Sequence, residues 1–214
     1  MRSAPTLTSA STSPVSRSTP SGSLEHRLTA PCRRPGVAPG ALERRDSLAP
    51  VRKETNMRQT KNDIPDGTRS KVVDLLNARL ADAIDLQTQC KQAHWNVRGP
   101  TFIALHKLFD EVNEDVEEYV DLIAERAVQL GGVAEGTARS VAKRSSLSEY
   151  GAKGSSGREH VDALSTALAA FGKAARESID KATDLRDADT ADIFTEISRG
   201  VDKWLWMVEA HLEG

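Results

Sequence analysis

Apolar residues begin to recur at helical spacing near residue 68 and keep it, in four blocks, almost to the end of the chain. In the first block Val73, Leu76, Leu80 and Ile84 return at intervals of three and four, and the pattern runs on through Leu86 to about Val97. Gly99-Pro100 breaks it, and Thr101 is placed to cap the next helix. The second block, about 101–130, sets Leu105, Leu108, Val112, Val116, Val120 and Ile123 on its apolar side and stops at Gly131-Gly132. A polar, Ser/Gly-rich stretch follows to about 156, in which Leu147 and Tyr150 suggest a short helix. Ser156-Gly157-Arg158-Glu159 has the form of a capping box and opens a third helix carrying Val161, Leu164, Leu168, Phe171, Ala175 and Ile179. The acidic turn Asp184–Asp189 leads to a fourth, with Ile193, Ile197, Val201, Leu205, Val208 and Leu212. The pattern predicts an all-α fold, a four-helix bundle with a long crossover between helices 2 and 3.

Residues 1–56 lack this periodicity. They are rich in Ser, Thr, Pro and Arg, carry too little apolar surface to offset backbone ordering, and read as a disordered extension. Met57 opens a sensible mature start, MRQTKNDIPDG, while residues 1–24, with Arg and hydroxyls but no acid, also match the composition of an organellar transit peptide. The expected organisation is the extension at 1–56, a flexible arm at 57–67 and a helical domain at 68–213. Charge divides the same way: residues 1–56 hold nine Lys/Arg against four Asp/Glu, net +5, and the remainder twenty against twenty-seven, net −7. The body alone is thus an acidic globule with little attraction for nucleic acid. Two cysteines, Cys32 and Cys90, do not make a disulfide framework, and a reducing cytoplasm fits them. No run of eighteen apolar residues is present to span a membrane.

The candidate chemistry lies in residues 94–132. His106 and Asp110 are four apart, as are Asp121 and Glu125, so each pair projects from one helix face. Eleven residues from Asp110 to Asp121 turn the helix by about 1100°, back to nearly the same face, but separate the pairs by about 16 Å. One metal site cannot use both pairs of one chain. A second copy packed antiparallel across a two-fold axis would bring each pair against the other of its mate, giving two identical inter-subunit sites. His94, one residue before Trp95, completes the set. Each residue also has a plain reading. His94 fits a helix-end histidine bonded to a carbonyl, His106 and Asp110 an i,i+4 ion pair, Asp121 and Glu125 a solvated acidic turn, and Trp95 ordinary packing. Imidazole with carboxylate suits Fe(II), with Zn(II) and Mn(II) as competitors. No Glu-x-x-His occurs in the four helices, which argues against a di-iron site inside one bundle.

HWNVRGPTFIALHKLFDE followed by DLIAERAVQLGG resembles the Dps family, the mini-ferritins that protect DNA in starved bacteria, over roughly residues 65–213. Ligand order, spacing, Trp95 and Gly99 all match. The resemblance implies a ferritin-like bundle and a ferroxidase. Iron would bind at His94, His106 and Asp110 of one subunit with Asp121 and Glu125 of its two-fold mate. Hydrogen peroxide would take electrons from Fe(II) in pairs, and ferric mineral would collect inside a homo-oligomeric shell, in this family a dodecamer. Trp95, beside the iron, would donate an electron. Asp184, Asp187, Asp189 and Asp192 resemble an acidic iron-entry pore, and helix capping by Asp189 or Asp192 is the alternative. The second reading is non-specific, nucleoid-associated DNA binding through a basic N-terminal arm. That arm, counted from Met57, offers only Arg58, Lys61, Arg69 and Lys71, with Asp63 and Asp66 against them, and the chain has no basic C-terminal tail. A helical shell without catalysis is the third reading.

Overall fold

The computed structural model describes residues 57–154 and 156–213. The expectations for residues 1–56 lie outside the described residues. Five helices follow in order: α1 (Asp66–Asn96), α2 (Phe102–Gln129), α3 (Ala138–Arg144), α4 (Gly157–Asp184) and α5 (Ala188–Glu209). The four long ones form the expected bundle. α1 packs along α2 and α4 along α5; the two pairs meet chiefly through α1 against α4, with α5 also touching α2. Leu76, Leu80, Leu86, Phe109, Ile123, Leu164, Leu168, Phe171, Phe194 and Ile197 lie fully buried between them.

Local chemistry explains the helix ends. Ser156 adopts an extended backbone and its hydroxyl accepts from the Glu159 N–H, as the capping box predicts. Thr101 stands at the N-cap of α2, but its hydroxyl makes no capping bond. At the end of α2, Gly131 takes a φ of 87°, where a Cβ would meet the Arg58 carbonyl oxygen at 2.6 Å.

The crossover departs from expectation. Its short helix is α3 at 138–144, not the stretch around Leu147 and Tyr150. Leu147 and Tyr150 instead pack as partly buried side chains against the core without helical backbone. The crossover is clipped to α1 by a polar stripe. Asn77 donates to the Val133 carbonyl and accepts from the Glu135 N–H, at 2.9 and 2.8 Å. Asp82, fully buried, accepts from both the backbone and hydroxyl of Ser146, and Gln89 donates to the Ser148 carbonyl. α1 therefore buries polar as well as apolar faces, because it is covered on nearly every side.

Candidate metal centre

The loop between α1 and α2 turns through Gly99, whose φ of 115° belongs to the region glycine favours. The turn lays the last turn of α1 against the start of α2, bringing His94 and His106 into contact. Their rings stack with centroids 3.7 Å apart and planes 22° from parallel. Each ring bonds the other's backbone: His94 Nδ1 lies 2.8 Å from the His106 carbonyl oxygen, and His106 Nδ1 lies 2.9 Å from that of His94. A carbonyl only accepts, so in each neutral ring Nδ1 carries the proton and Nε2 keeps the lone pair that can bind a metal. The plain reading of His94, a carbonyl bond at a helix end, is thus met by Nδ1 while Nε2 remains a donor atom.

Asp110 joins this pair, with Oδ1 3.7 Å from His94 Nδ1. The same oxygen accepts from Lys91 Nζ at 2.6 Å. That hydrogen bond, helped by the positive charges near it, holds the Asp110 carboxyl below the usual carboxylate range. Lys91 was missed in the sequence, although its place three residues before His94 puts it on the same helix face. The donor set, two imidazoles and a carboxylate on two rigid helices, fits Fe(II) in chemistry.

α2 is unbroken, so Asp121 and Glu125 stand on it as exposed residues, about 16 and about 22 Å along the axis from Asp110. Among the described residues no three His, Cys, Asp or Glu side chains come together closely enough to hold a metal ion within the chain. Large apolar side chains lie open around the histidines: Trp95 is 70% exposed, Ile103 60% and Phe102 39%. The Phe102 ring sits 5.1 Å from that of His106. Further along α2, Val128 is also exposed.

Two of the peripheral assignments change. Arg69, expected in a basic arm, is 3% exposed. Its guanidinium donates to the Leu130 and Ile64 carbonyls and to Asp66, which ties the segment before α1 to the end of α2. Buried and bonded through all three of its nitrogens, it is not presented to a phosphate. Arg58, Lys61 and Lys71 are exposed, and the Arg58 backbone N–H donates to the Gly131 carbonyl. Asp187, expected in an acidic pore, is 2% exposed. It caps α5, accepting from the Thr190 N–H and hydroxyl, and pairs with Arg126 at 2.6 Å. The capping role expected of Asp189 or Asp192 thus falls to Asp187. Asp184, Asp189 and Asp192 are exposed. Among the described residues no helix is long and apolar enough to cross a membrane.

Comparison with known proteins agrees with this fold. The ferritin-like domain family matches residues 73–214. A DNA protection during starvation protein from Agrobacterium fabrum is 43% identical over 155 residues, 72% of this chain and 96% of the relative. The structure of Mycobacterium smegmatis Dps superposes with a TM-score of 0.70 at 33% identity, covering 73% of this chain and 89% of that one. DpsA14 from Streptomyces coelicolor superposes with a TM-score of 0.71 at 29% identity, over 75% of this chain and 95% of its own. Matched by the family over residues 73–214, 43% identical to one such protein and superposable on the solved bundle of another, the chain belongs to the Dps family of ferritin-like proteins.

Proposed function

We propose that this protein is a cytoplasmic ferroxidase and iron store whose substrate, Fe(II), binds between two-fold-related subunits. The carrying observation is the reciprocal histidine lock: each Nδ1 is committed to the other residue's carbonyl, which leaves each Nε2 with its lone pair, while Asp110 Oδ1 lies 3.7 Å from the His94 ring at Nδ1. Asp121 and Glu125 of a second copy supply two carboxylates beyond that of Asp110. The exposed Trp95, Phe102 and Ile103 supply apolar surface for that contact. Hydrogen peroxide accepts one electron from each of two Fe(II) ions, so its O–O bond breaks without releasing a hydroxyl radical. Where only one Fe(II) is bound, Trp95 supplies the second electron to peroxide in its place. Ferric product collects in a homo-oligomeric shell, a dodecamer as the resemblance implies. Asp184, Asp189 and Asp192 draw cations toward it. The Agrobacterium fabrum relative is named for DNA protection during starvation, and consuming peroxide without radicals would protect DNA here.

The test is Fe(II) oxidation by peroxide on the full chain, with size-exclusion chromatography of the product. Iron that oxidises fast and elutes with protein in a large shell supports the reading; oxidation at the protein-free rate refutes it. Asp121→Ala and His106→Ala shells each lose activity, and shells mixed from the two recover intact sites. No recovery in assembled mixed shells refutes the shared geometry.

Direct DNA binding is the second reading, favoured by the net +5 of residues 1–56. Many copies on one shell would act together. A gel shift at low and moderate salt, with and without residues 1–56, decides it: equal non-binding refutes it.

A further inference from the structure

A second group of titratable side chains lies where the crossover meets α1 and α4. Tyr150 Oη is 2.7 Å from His160 Nδ1, and the two rings run nearly parallel, 22° apart with centroids separated by 6.0 Å. His160 is 1% exposed, and its Nε2 is buried without a hydrogen-bond partner. A phenol O–H is a stronger acid than a neutral imidazole N–H and an imidazole nitrogen a better acceptor than a phenol oxygen, so across this contact the Tyr150 hydroxyl donates and Nδ1 receives. Burial disfavours a second proton on His160 and holds the Tyr150 hydroxyl protonated. The pair is therefore a neutral phenol bonded to a neutral base. Tyr150 also lines a cavity of about 750 Å³ whose wall includes Trp95 and Lys91, and Lys91 reaches Asp110.

We propose that Tyr150 is a one-electron donor that quenches stray oxidants from the metal centre, with His160 as its proton acceptor. The inference rests on the ferroxidase reading for its oxidant, the hydroxyl radical formed when one Fe(II) reacts alone with peroxide, or the indole radical cation that this radical leaves at Trp95. The electron leaves the phenol as its O–H bond breaks, and the proton passes along the 2.7 Å hydrogen bond to His160 Nδ1. Hydroxyl radical becomes hydroxide, or the indole radical cation becomes indole. A further Fe(II) returns the electron to the phenoxyl radical, and the imidazolium returns the proton. A phenol without such a base must lose its electron first and pass through an unstable radical cation, which is why the bond to Nδ1 matters.

The chain has only two tyrosines, Tyr119 and Tyr150, which makes the test clean. Azidyl radicals generated by pulse radiolysis oxidise the full-length protein without iron, and the phenoxyl absorption is followed in time. Wild type and Tyr119→Phe develop the phenoxyl band, and Tyr150→Phe loses most of it. In His160→Gln, which keeps a hydrogen bond but no base, the band grows on the order of a hundredfold more slowly. Circular dichroism checks that the variants are folded. An undiminished band in Tyr150→Phe overturns the proposal, and so does unchanged growth in folded His160→Gln. Because this oxidant needs no iron, failure of the Fe(II)–peroxide reaction leaves the readout intact, and failure here leaves that reaction intact.

Discussion

Removing the Asp187 carboxylate separates a structural role from a pore role. Its side chain is 1% exposed and faces Arg126, itself 7% exposed, at 2.6 Å. The same carboxylate accepts from the Thr190 backbone at 3.2 Å and from its hydroxyl at 2.6 Å. Asp187→Ala leaves a buried guanidinium whose remaining acid is Asp189, 3.5 Å away and 79% exposed. Breaking a buried pair from one side costs about 3–5 kcal/mol, which includes the lost helix cap. Asp187→Asn keeps a cap acceptor and loses the charge, so it falls between Asp187→Ala and wild type. Asp189→Ala removes only an exposed charge and stays within about 0.5 kcal/mol. Urea unfolding of all four proteins at one subunit concentration is the assay, since assembly shifts apparent stability. Asp187→Ala as stable as Asp189→Ala refutes the reasoning. Slowed iron uptake at wild-type stability restores Asp187 to the pore.

Lys91→Met deletes an ion pair between partly exposed groups, so stability changes by less than about 1 kcal/mol. Fe(II) binding tightens about tenfold, because an ammonium no longer competes for Asp110; metal titration reads this, and weaker binding would mean that the lysine orients the carboxylate instead. Burial lowers the pKa of His160 below its ordinary 6.5, so between that value and the folded one the unfolded chain binds more protons. Stability from this group is therefore complete above pH 6.5 and is lost as pH falls through the folded pKa; His160→Gln flattens that part of the thermal midpoint against pH. Burial pushes the Cys90 thiol up to about 12, so alkylating reagents modify Cys90 only after unfolding, and mass spectrometry of native and urea-treated protein checks it.

The four long helices, the capping box at Ser156 and the stop at Gly131 were legible because they depend on neighbours a few residues away. The spacing of His106, Asp110, Asp121 and Glu125 was legible for the same reason: helix geometry converts sequence separation into face and distance without knowledge of the rest of the fold. Other features depend on groups brought together only by packing. Arg69 looks like any basic residue of an arm until Leu130, sixty-one positions away, offers its carbonyl. Asp187 looks like a member of an acidic run until Arg126 turns it inward. The crossover helix at 138–144 sits where α1 presents Asn77 and Asp82 to clip its flanks, a pattern hidden in α1 because polar and apolar positions are both buried there. The histidine lock and the Tyr150–His160 pair likewise need two segments in register to within a hydrogen bond. Local periodicity determined the elements and the order of their ligands; long-range packing decided which polar groups are spent inside the fold and which remain free for chemistry.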